Sequence, residues 1–303
     1  MANQGITYEI ENRSDRGILY SYHNKPDYRV MNKGAKSSDV AQLKSADKRN
    51  LIAAGLDINS RFTIGMEVEK NALSRGALRE YELFCGFEYD GSCGYEAVTN
   101  ILPLVPASEW RNKVYDMMHK AGRIIEDRFS PSDSRCGGHI SLAVEGMSGA
   151  DLFAAVRKNA GLIYAIYRQR LTNGYCRWNI RMSSNSDEWT GLHVSNRRKY
   201  HVCLLRDNVI EFRLPSRFKS VKQMMRRYEL MYILVDFSVN NPNGTFKSFL
   251  AKAEPTLRLM YEGDQAKVDE IMTLAQSFQK YIKTGKVTED IAGWLGFTET
   301  PRP

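Results

Sequence analysis

The sequence predicts an α+β fold in which helices cover one face of a sheet and the other face carries polar side chains. Two observations lead to this fold class. Stretches in which apolar and polar residues alternate with the period of a strand recur between residues 61 and 240. Among them lie segments whose apolar residues follow the helical period and form one wide stripe. Helices with a single apolar stripe are typical of a layer that packs on a sheet.

Composition and periodicity divide the chain into three regions. Residues 1–60 are polar, basic and rich in tyrosine, and we interpret them as an N-terminal extension that wraps the core, with a short helix at 45–55. Residues 61–240 hold the alternating strands and helices and form the core. Residues 241–303 are predicted to be helical and form a C-terminal helical extension.

Three helices are predicted within the core. The first follows Ser108 as its N-cap and places one apolar face inward, formed by Trp110, Val114, Met117, Ala121 and Ile124. The second runs from about Gly149 to Leu171, and the third from about Val221 to Phe237. In the C-terminal extension we expect one helix from Phe246 to Tyr261, interrupted at Pro255, and another from Asp264 to Lys283. The second of these carries one apolar stripe, formed by Val268, Ile271, Ala275, Phe278 and Ile282.

Composition restricts the class of protein. The chain has 303 residues, 43 Lys and Arg against 35 Asp and Glu, and a net charge of +8. Its 43% hydrophobic and 26% charged residues exclude a disordered, collagen-like or disulfide-stapled chain. No apolar run reaches the ~18 residues that a membrane-spanning helix needs, and the N-terminus lacks the apolar central region of a signal peptide. We therefore expect a cytoplasmic protein that does not associate with a membrane. Five cysteines without metal-site spacing predict reduced thiols and no zinc site.

The predicted strands carry acidic residues and a histidine on their polar faces. In 61–69, Glu67 and Glu69 share the face opposite the apolar residues, because side chains alternate along a strand. In 138–144 the same alternation leaves His139 and Ser141 opposite the apolar face. Glycines precede Glu67, at Gly65, and His139, at 137–138, as expected where a ligand approaches the backbone.

Two further segments follow the same pattern. In 209–215, Glu211 and Arg213 share the polar face. In 90–99 a glycine-rich turn leads into a short strand that carries Glu96, whose face the poor alternation does not assign.

Together these strands predict one sheet face with several carboxylates, an imidazole and a guanidinium: Glu67, Glu69, Glu96, Glu211, His139 and Arg213. Clustered carboxylates repel one another unless positive charge lies among them, and hard divalent cations take oxygen ligands from carboxylates and phosphates. A site for a metal and a nucleotide explains the set. The alternative is the solvated face of a half-open antiparallel sheet, with Glu211 and Arg213 as a surface ion pair. These polar faces hold Glu, His and Arg at positions where a solvent-facing strand would ordinarily have Ser, Thr, Lys or Gln. This choice of residues favours the metal and nucleotide site.

The ordered segments resemble the amidoligase family, carboxylate-amine ligases of the glutamine synthetase and glutamate-cysteine ligase superfamily. The resemblance covers residues 61–240. Four segments carry it, in order Ile64–Glu69, Asp90–Ser92 with Glu96–Thr99, Cys136–Ser141 and Ile210–Leu214; Arg168–Arg170 and Asn173–Arg177 also resemble the family pattern.

The resemblance implies a glutamine synthetase catalytic-domain-like fold, a curved, largely antiparallel sheet with helices on the convex face and a site for ATP and Mg²⁺ (or Mn²⁺) on the concave face. It implies metal ligation by Glu67, Glu69, Glu96, His139 and Glu211, and cofactor contacts by Glu67, Glu69, Arg213, Arg170 and Arg177. The implied catalytic residues are Arg213 on the transferred phosphoryl group, Asp90 on the amine or acyl substrate, His139 and Ser141. Such enzymes form an amide or peptide bond through an acyl phosphate, using carboxylate and amine substrates that range from amino acids to proteins.

One position departs from the family pattern. Ser141 stands where the family usually has a second histidine, and a serine cannot carry positive charge towards phosphate. This favours the alternative of a binding protein built on a degenerate ligase fold, with nucleic acid on basic clusters at 197–199, 226–227 and Lys219 with Lys222. A guanidino-kinase type of phosphotransferase is a third, minor alternative. Related synthetases often assemble, so an oligomer is consistent with the family.

Overall fold

A computed structural model describes residues 8–9, 20–22, 61–74, 83–99, 102–174, 176, 202–205 and 209–295. The chain forms two compact units, Met1–Glu145 with Arg217–Met225 and Gly146–Ser216 with Arg226–Pro303, called here the first and the second unit. The predicted helix at 45–55, Arg177 and the basic cluster at 197–199 lie outside the described residues.

The first unit is built on an antiparallel sheet. Its strands are β1 (Tyr8–Glu9), β2 (Tyr20–Tyr22), β3 (Phe62–Lys70), β4 (Phe84–Asp90), β5 (Gly94–Thr99), β6 (Leu102–Pro103) and β7 (Ile140–Val144). The order across the sheet is β1-β2-β4-β5-β3-β7, and β6 pairs with the N-terminal end of β3. The predicted α+β class and antiparallel pairing are confirmed. The N-terminal extension adds β1 and β2 to the sheet, which periodicity did not predict.

Strand β3 lies between β5 and β7, and every one of its residues is buried. Its apolar side chains alternate as predicted: Phe62, Ile64, Met66 and Val68. The opposite side chains are equally hidden from solvent, with Glu67 fully buried and Glu69 6% exposed. A solvated polar face is therefore wrong for β3.

Two helices of the first unit follow β6. Helix α1 runs Glu109–Lys120 and α2 runs Gly122–Ile125. Ser108 caps α1 as predicted, since its hydroxyl accepts a hydrogen bond from the Arg111 amide at 3.3 Å. Met118 is fully buried and the predicted Met117 only half-buried, so the buried residues of α1 are spaced by four, at Trp110, Val114 and Met118.

The second unit holds helices and one strand pair. Its helices are α3 (Gly149–Arg157), α4 (Gly161–Ile166), a 3₁₀ turn (Arg168–Arg170), α6 (Phe246–Met260), α7 (Gln265–Thr284) and α8 (Glu289–Ala292), and α5 (Val221–Asn240) has residues in both units. Strands β8 (Cys203–Leu205) and β9 (Val209–Phe212) pair antiparallel.

Two helix predictions are corrected. The single helix expected over 149–171 is divided into α3 and α4, and α4 begins at Gly161, where an added Cβ would lie 2.5 Å from the carbonyl oxygen of Ala275 in α7. Helix α6 continues through Pro255, which it accommodates within its length. The predicted stripe of α7 is confirmed, with Val268, Ile271, Ala275, Phe278 and Ile282 all buried. Among the residues that the structure covers, no helix is long and apolar enough to cross a membrane.

Candidate metal centre

The pairing of β3 with β7 brings Glu67 beside His139. Gly65 lies opposite Ser141 and Met66 opposite Ile140, and the Glu67 amide then donates to the His139 carbonyl at 3.0 Å. Residues directly opposite one another in an antiparallel pair project to the same face. The register therefore places the carboxylate of β3 and the imidazole just before β7 side by side.

The His139 ring lies between two carboxylates. Its Nδ1 is 2.5 Å from Glu67 Oε2, and its Nε2 is 3.4 Å from Glu69 Oε1. One ligand atom from each of these three residues lies within 4.8 Å of the others, and all three residues are buried. We call Glu67, Glu69 and His139 the triad. It is the part of the predicted ligand set that the structure brings together most closely.

A backbone amide orients the second carboxylate. The N–H of Gly137 donates to Glu69 Oε2 at 2.6 Å, a charge-assisted hydrogen bond. Gly137 was predicted only as a place of close backbone approach, not as a support for the triad. The sequence pattern that points to it is the pair of glycines directly before His139.

Sheet register assigns Glu96, which alternation could not. Glu96 of β5 is directly opposite Glu69, so the two carboxylates share a face, and it is 2% exposed. On its other side Glu96 lies opposite Glu88 of β4. Three adjacent strands thus carry a glutamate at matching positions. Glu88 was missed, although the order Phe87, Glu88, Tyr89, Asp90 alternates as a strand does.

Asp90 and Ser141, two predicted catalytic residues, lie on this sheet as well. Asp90 Oδ1 accepts from the Ser92 amide at 2.6 Å and from the Ser92 hydroxyl at 2.5 Å, so it holds the turn between β4 and β5. Ser141 is fully buried at the position opposite Gly65, on the face of the triad.

Lys70 follows Glu69 and projects to the opposite face. It is fully buried, and its ammonium donates to the carbonyl oxygens of Ile125 at 2.6 Å and Phe218 at 2.8 Å and to Asp127 Oδ1 at 2.8 Å. Burial lowers the pKa of Lys70, although the contact with Asp127 acts in the other direction. The Lys70 ammonium therefore binds groups on the opposite face of the strand and does not neutralise the carboxylates of the triad.

The second unit holds Glu211 and Arg213 as a pair. Glu211 of β9 is fully buried, and Arg213 Nη1 lies 2.6 Å from its Oε1. The Arg213 amide donates to the Val202 carbonyl at 2.9 Å, which extends the pairing of the two strands. The interpretation as a surface ion pair is therefore wrong.

Other predicted cationic residues of the second unit are buried or half-buried. Arg170 lies half-buried at the end of the 3₁₀ turn. Arg227, assigned above to a basic cluster, is 1% exposed, donates to the Ser216 hydroxyl at 2.9 Å and lies 5.3 Å from the ring centre of Tyr167. Residue 227 therefore adds no charge to a solvated nucleic-acid surface.

The donor set of the triad fits a divalent cation. Two carboxylates supply hard oxygen donors, and an imidazole is a common ligand of Zn²⁺, Fe²⁺ and similar metals, whereas Mg²⁺ prefers oxygen alone. The imidazole therefore favours a divalent first-row transition metal over Mg²⁺ at the triad.

Comparison with known proteins adds no family to this geometry. No protein-family model matches the chain, and no curated protein matches its sequence.

Proposed function

We propose that this protein is an ATP-dependent carboxylate-amine ligase that holds a divalent cation on the triad. The observation that supports it most directly is the buried group of Glu67, Glu69 and His139, with its ligand atoms within 4.8 Å of one another. Buried carboxylates are costly unless they are paired or coordinate a metal. A strand that places two of them beside one imidazole favours a cation site.

The ligase chemistry comes from the order of the segments. The triad residues all fall in segments that resemble the amidoligase family, Ile64–Glu69 and Cys136–Ser141. Glu96, the third buried carboxylate of the same face, falls in another. Under the proposal this face is the concave side of a glutamine synthetase-like sheet and binds the phosphates of ATP.

The proposal assigns a task to several of the predicted site residues. Glu67, Glu69 and His139 hold the cation, and the Gly137 amide keeps Glu69 in place. When bound, the cation would neutralise phosphate charge as it develops. The resemblance assigns Arg213 to the transferred phosphoryl group and Arg170 and Arg177 to the nucleotide. A carboxylate oxygen of the acyl substrate attacks the γ-phosphorus and ADP leaves. The amine nitrogen then attacks the acyl carbon, loses a proton, and inorganic phosphate leaves.

Nucleotide binding tests the cation site. Titration calorimetry of ATP into the full chain, with and without Mn²⁺ or Mg²⁺, should show binding that requires the cation. Glu67→Gln should weaken this binding at least tenfold, since even residues that only support ligands change metal affinity by about 10–100-fold. The matched control is Glu109→Gln, the same chemical change at an exposed position of α1. Binding that is independent of the cation, or unchanged in Glu67→Gln, would refute the site.

Phosphate release tests the reaction. The protein is incubated with ATP, Mn²⁺ and pools of carboxylates and amines, and ADP and phosphate are measured. The ligase proposal predicts phosphate release that needs both a carboxylate and an amine. Cation-dependent ATP binding without turnover for any pair would support the degenerate, ligand-binding alternative in place of the enzyme.

A further inference from the structure

The backbone amide that supports the triad belongs to a loop of the first unit. Residues 126–137 follow α2 and are called here the support loop. The loop ends at Gly137, whose N–H donates to Glu69 Oε2 at 2.6 Å. A carboxylate oxygen keeps this orientation only while its donor stays in place. The hydrogen bonds that hold the loop therefore bear on the geometry of the triad.

Three hydrogen bonds tie the support loop to the residues directly after Glu69. All three donors lie in 70–74 and all three acceptors in the loop: Lys70 Nζ to Asp127 Oδ1 at 2.8 Å, the Asn71 amide to the Pro131 carbonyl at 2.9 Å, and the Ser74 amide to Ser130 Oγ at 3.0 Å. The segment that continues from Glu69 thus also holds the loop that supplies the hydrogen-bond donor of that carboxylate.

The Ser130 hydroxyl joins three parts of the first unit. It accepts from the Ser74 amide and donates to the Arg123 carbonyl of α2 at 2.7 Å, and the side chain is fully buried. Buried backbone groups that lose their partner cost free energy, so the loop keeps its position while this hydroxyl is present.

The Ser132 hydroxyl fixes the second half of the loop. It donates at 2.6 Å to Asp127 Oδ1, the oxygen that also accepts from the buried Lys70. Between Ser132 and Gly137 the chain makes a compact turn, in which the Cys136 amide donates to the Asp133 carbonyl at 3.1 Å. A displacement at Ser132 therefore reaches Gly137 with little slack between them.

We propose that Ser130 and Ser132 are positioning residues of the triad, which keep the Gly137 amide on Glu69 and thereby set the affinity of the triad for a divalent cation. Neither serine belongs to the group of ligand atoms, so both act through the backbone of the support loop. The effect on cation affinity rests on the proposed function, whereas the effect on the Gly137 amide does not.

The expected loss of affinity follows from the place of the two serines. Residues that support a metal ligand directly change metal affinity by about 10–100-fold when they are replaced. In this protein the direct support is a backbone N–H, and the two serines act one step beyond it. We therefore expect the lower end of that range, about tenfold weaker binding of Mn²⁺, in Ser130→Ala and in Ser132→Ala.

Two measurements on the full chain test the proposal. Hydrogen exchange followed by NMR in the metal-free protein reports how firmly the Gly137 amide is held, with the amides of β7 as an internal reference for global stability. In both variants the Gly137 amide should exchange about fivefold faster relative to β7, the factor that corresponds to one lost hydrogen bond. Titration calorimetry with Mn²⁺, at a temperature where circular dichroism shows each variant folded, reports the affinity of the triad.

Two further variants separate positioning from stability. Ser238→Ala, in the second unit, removes another buried serine hydroxyl, which accepts from Asn159 Nδ2 at 2.9 Å, and should change neither the relative exchange of Gly137 nor the affinity. Ser132→Thr keeps the hydroxyl at a half-buried position and should restore both values. Ser132→Ala also serves if Ser130→Ala does not fold, because it leaves the hydrogen bond between Lys70 and Asp127 in place.

Each outcome decides one part. Faster relative exchange at Gly137 together with about tenfold weaker Mn²⁺ binding, both restored in Ser132→Thr, supports the inference. A Gly137 amide that is unprotected in the wild type, or that changes no more than β7 or no more than in Ser238→Ala, would overturn it. Faster exchange with unchanged Mn²⁺ affinity would overturn the control of the triad. If the wild type binds no Mn²⁺, the proposed function fails and the effect on affinity fails with it, whereas hydrogen exchange still decides whether the serines hold the Gly137 amide.

Discussion

Replacing Glu69 by glutamine distinguishes a metal site from a structural polar network, because the two hypotheses predict opposite changes in the free energy of unfolding. In a structural network the carboxylate stabilises the fold, and its loss should destabilise it. In a metal site without its cation, the two carboxylates of Glu67 and Glu69 repel each other. Removing one of the charges should then stabilise the metal-free protein.

The size of the effect follows from the distances. Two like charges 4.8 Å apart, the limit for the triad, repel by about 3.5 kcal/mol at an effective dielectric constant of about 20. Glutamine keeps an oxygen that can accept from the Gly137 amide, at 2.6 Å in the wild type, but loses the charge assistance, worth about 1 kcal/mol. The contact of Glu69 with His139 Nε2, at 3.4 Å, is long and contributes less. The metal-free variant should therefore be more stable by about 2 kcal/mol.

Thermal unfolding followed by circular dichroism, first with a chelator and then with saturating Mn²⁺, measures the Tm of the metal-free and of the metal-bound protein. For a unit of this size a gain of 2 kcal/mol corresponds to a rise of about 4–8 °C in Tm. Mn²⁺ should raise the Tm of the wild type and raise that of Glu69→Gln by less, because the variant binds the cation more weakly. Glu109→Gln, at an exposed position, controls for the chemical change. The metal site would be refuted if metal-free Glu69→Gln had a lower Tm than the metal-free wild type and Mn²⁺ did not change the Tm of the wild type.

Three further predictions concern the packing around the site and in the second unit. Lys70→Met should lower the free energy of unfolding by about 3 kcal/mol in a urea titration, because two buried carbonyls and Asp127 lose their donor; a loss below about 1 kcal/mol would contradict this. Burial acts to raise the pKa of Asp127, but hydrogen bonds from Lys70 and Ser132 bring it below the ordinary 3.8. Stability from this carboxylate is therefore present above pH 3.8 and lost as the pH falls through the folded-state value, and Asp127→Asn should flatten that part of the pH profile of Tm. Gly161→Ala should cost about 1–3 kcal/mol in urea, since its Cβ would lie 2.5 Å from a backbone oxygen of α7, while Gly174→Ala, with open space around it, should change little.

The local parts of this structure could be predicted from the sequence. The side-chain period of two places Glu67 and Glu69 on one strand face because it depends only on neighbouring residues. The stripe of α7 follows in the same way from helical spacing, and the cap of α1 from Ser108. The α+β class follows from the mixture of both periods.

Periodicity could not decide what depends on distant residues. Glu67 and His139 are 72 positions apart, and only the register of β3 with β7 makes them neighbours. The face of Glu96 needed its pairing with β3, because its own strand alternates poorly. The break between α3 and α4 lies where Gly161 packs on α7, a close approach that no local pattern reports.

The sequence by itself determined the candidate set, carboxylates and one histidine on strand faces. Only the tertiary structure decided that three of them form a buried triad and that a backbone amide holds one of them. The physical reason is that secondary structure is specified within a few residues, whereas burial and contact between strands are set by which parts of the chain exclude water from one another.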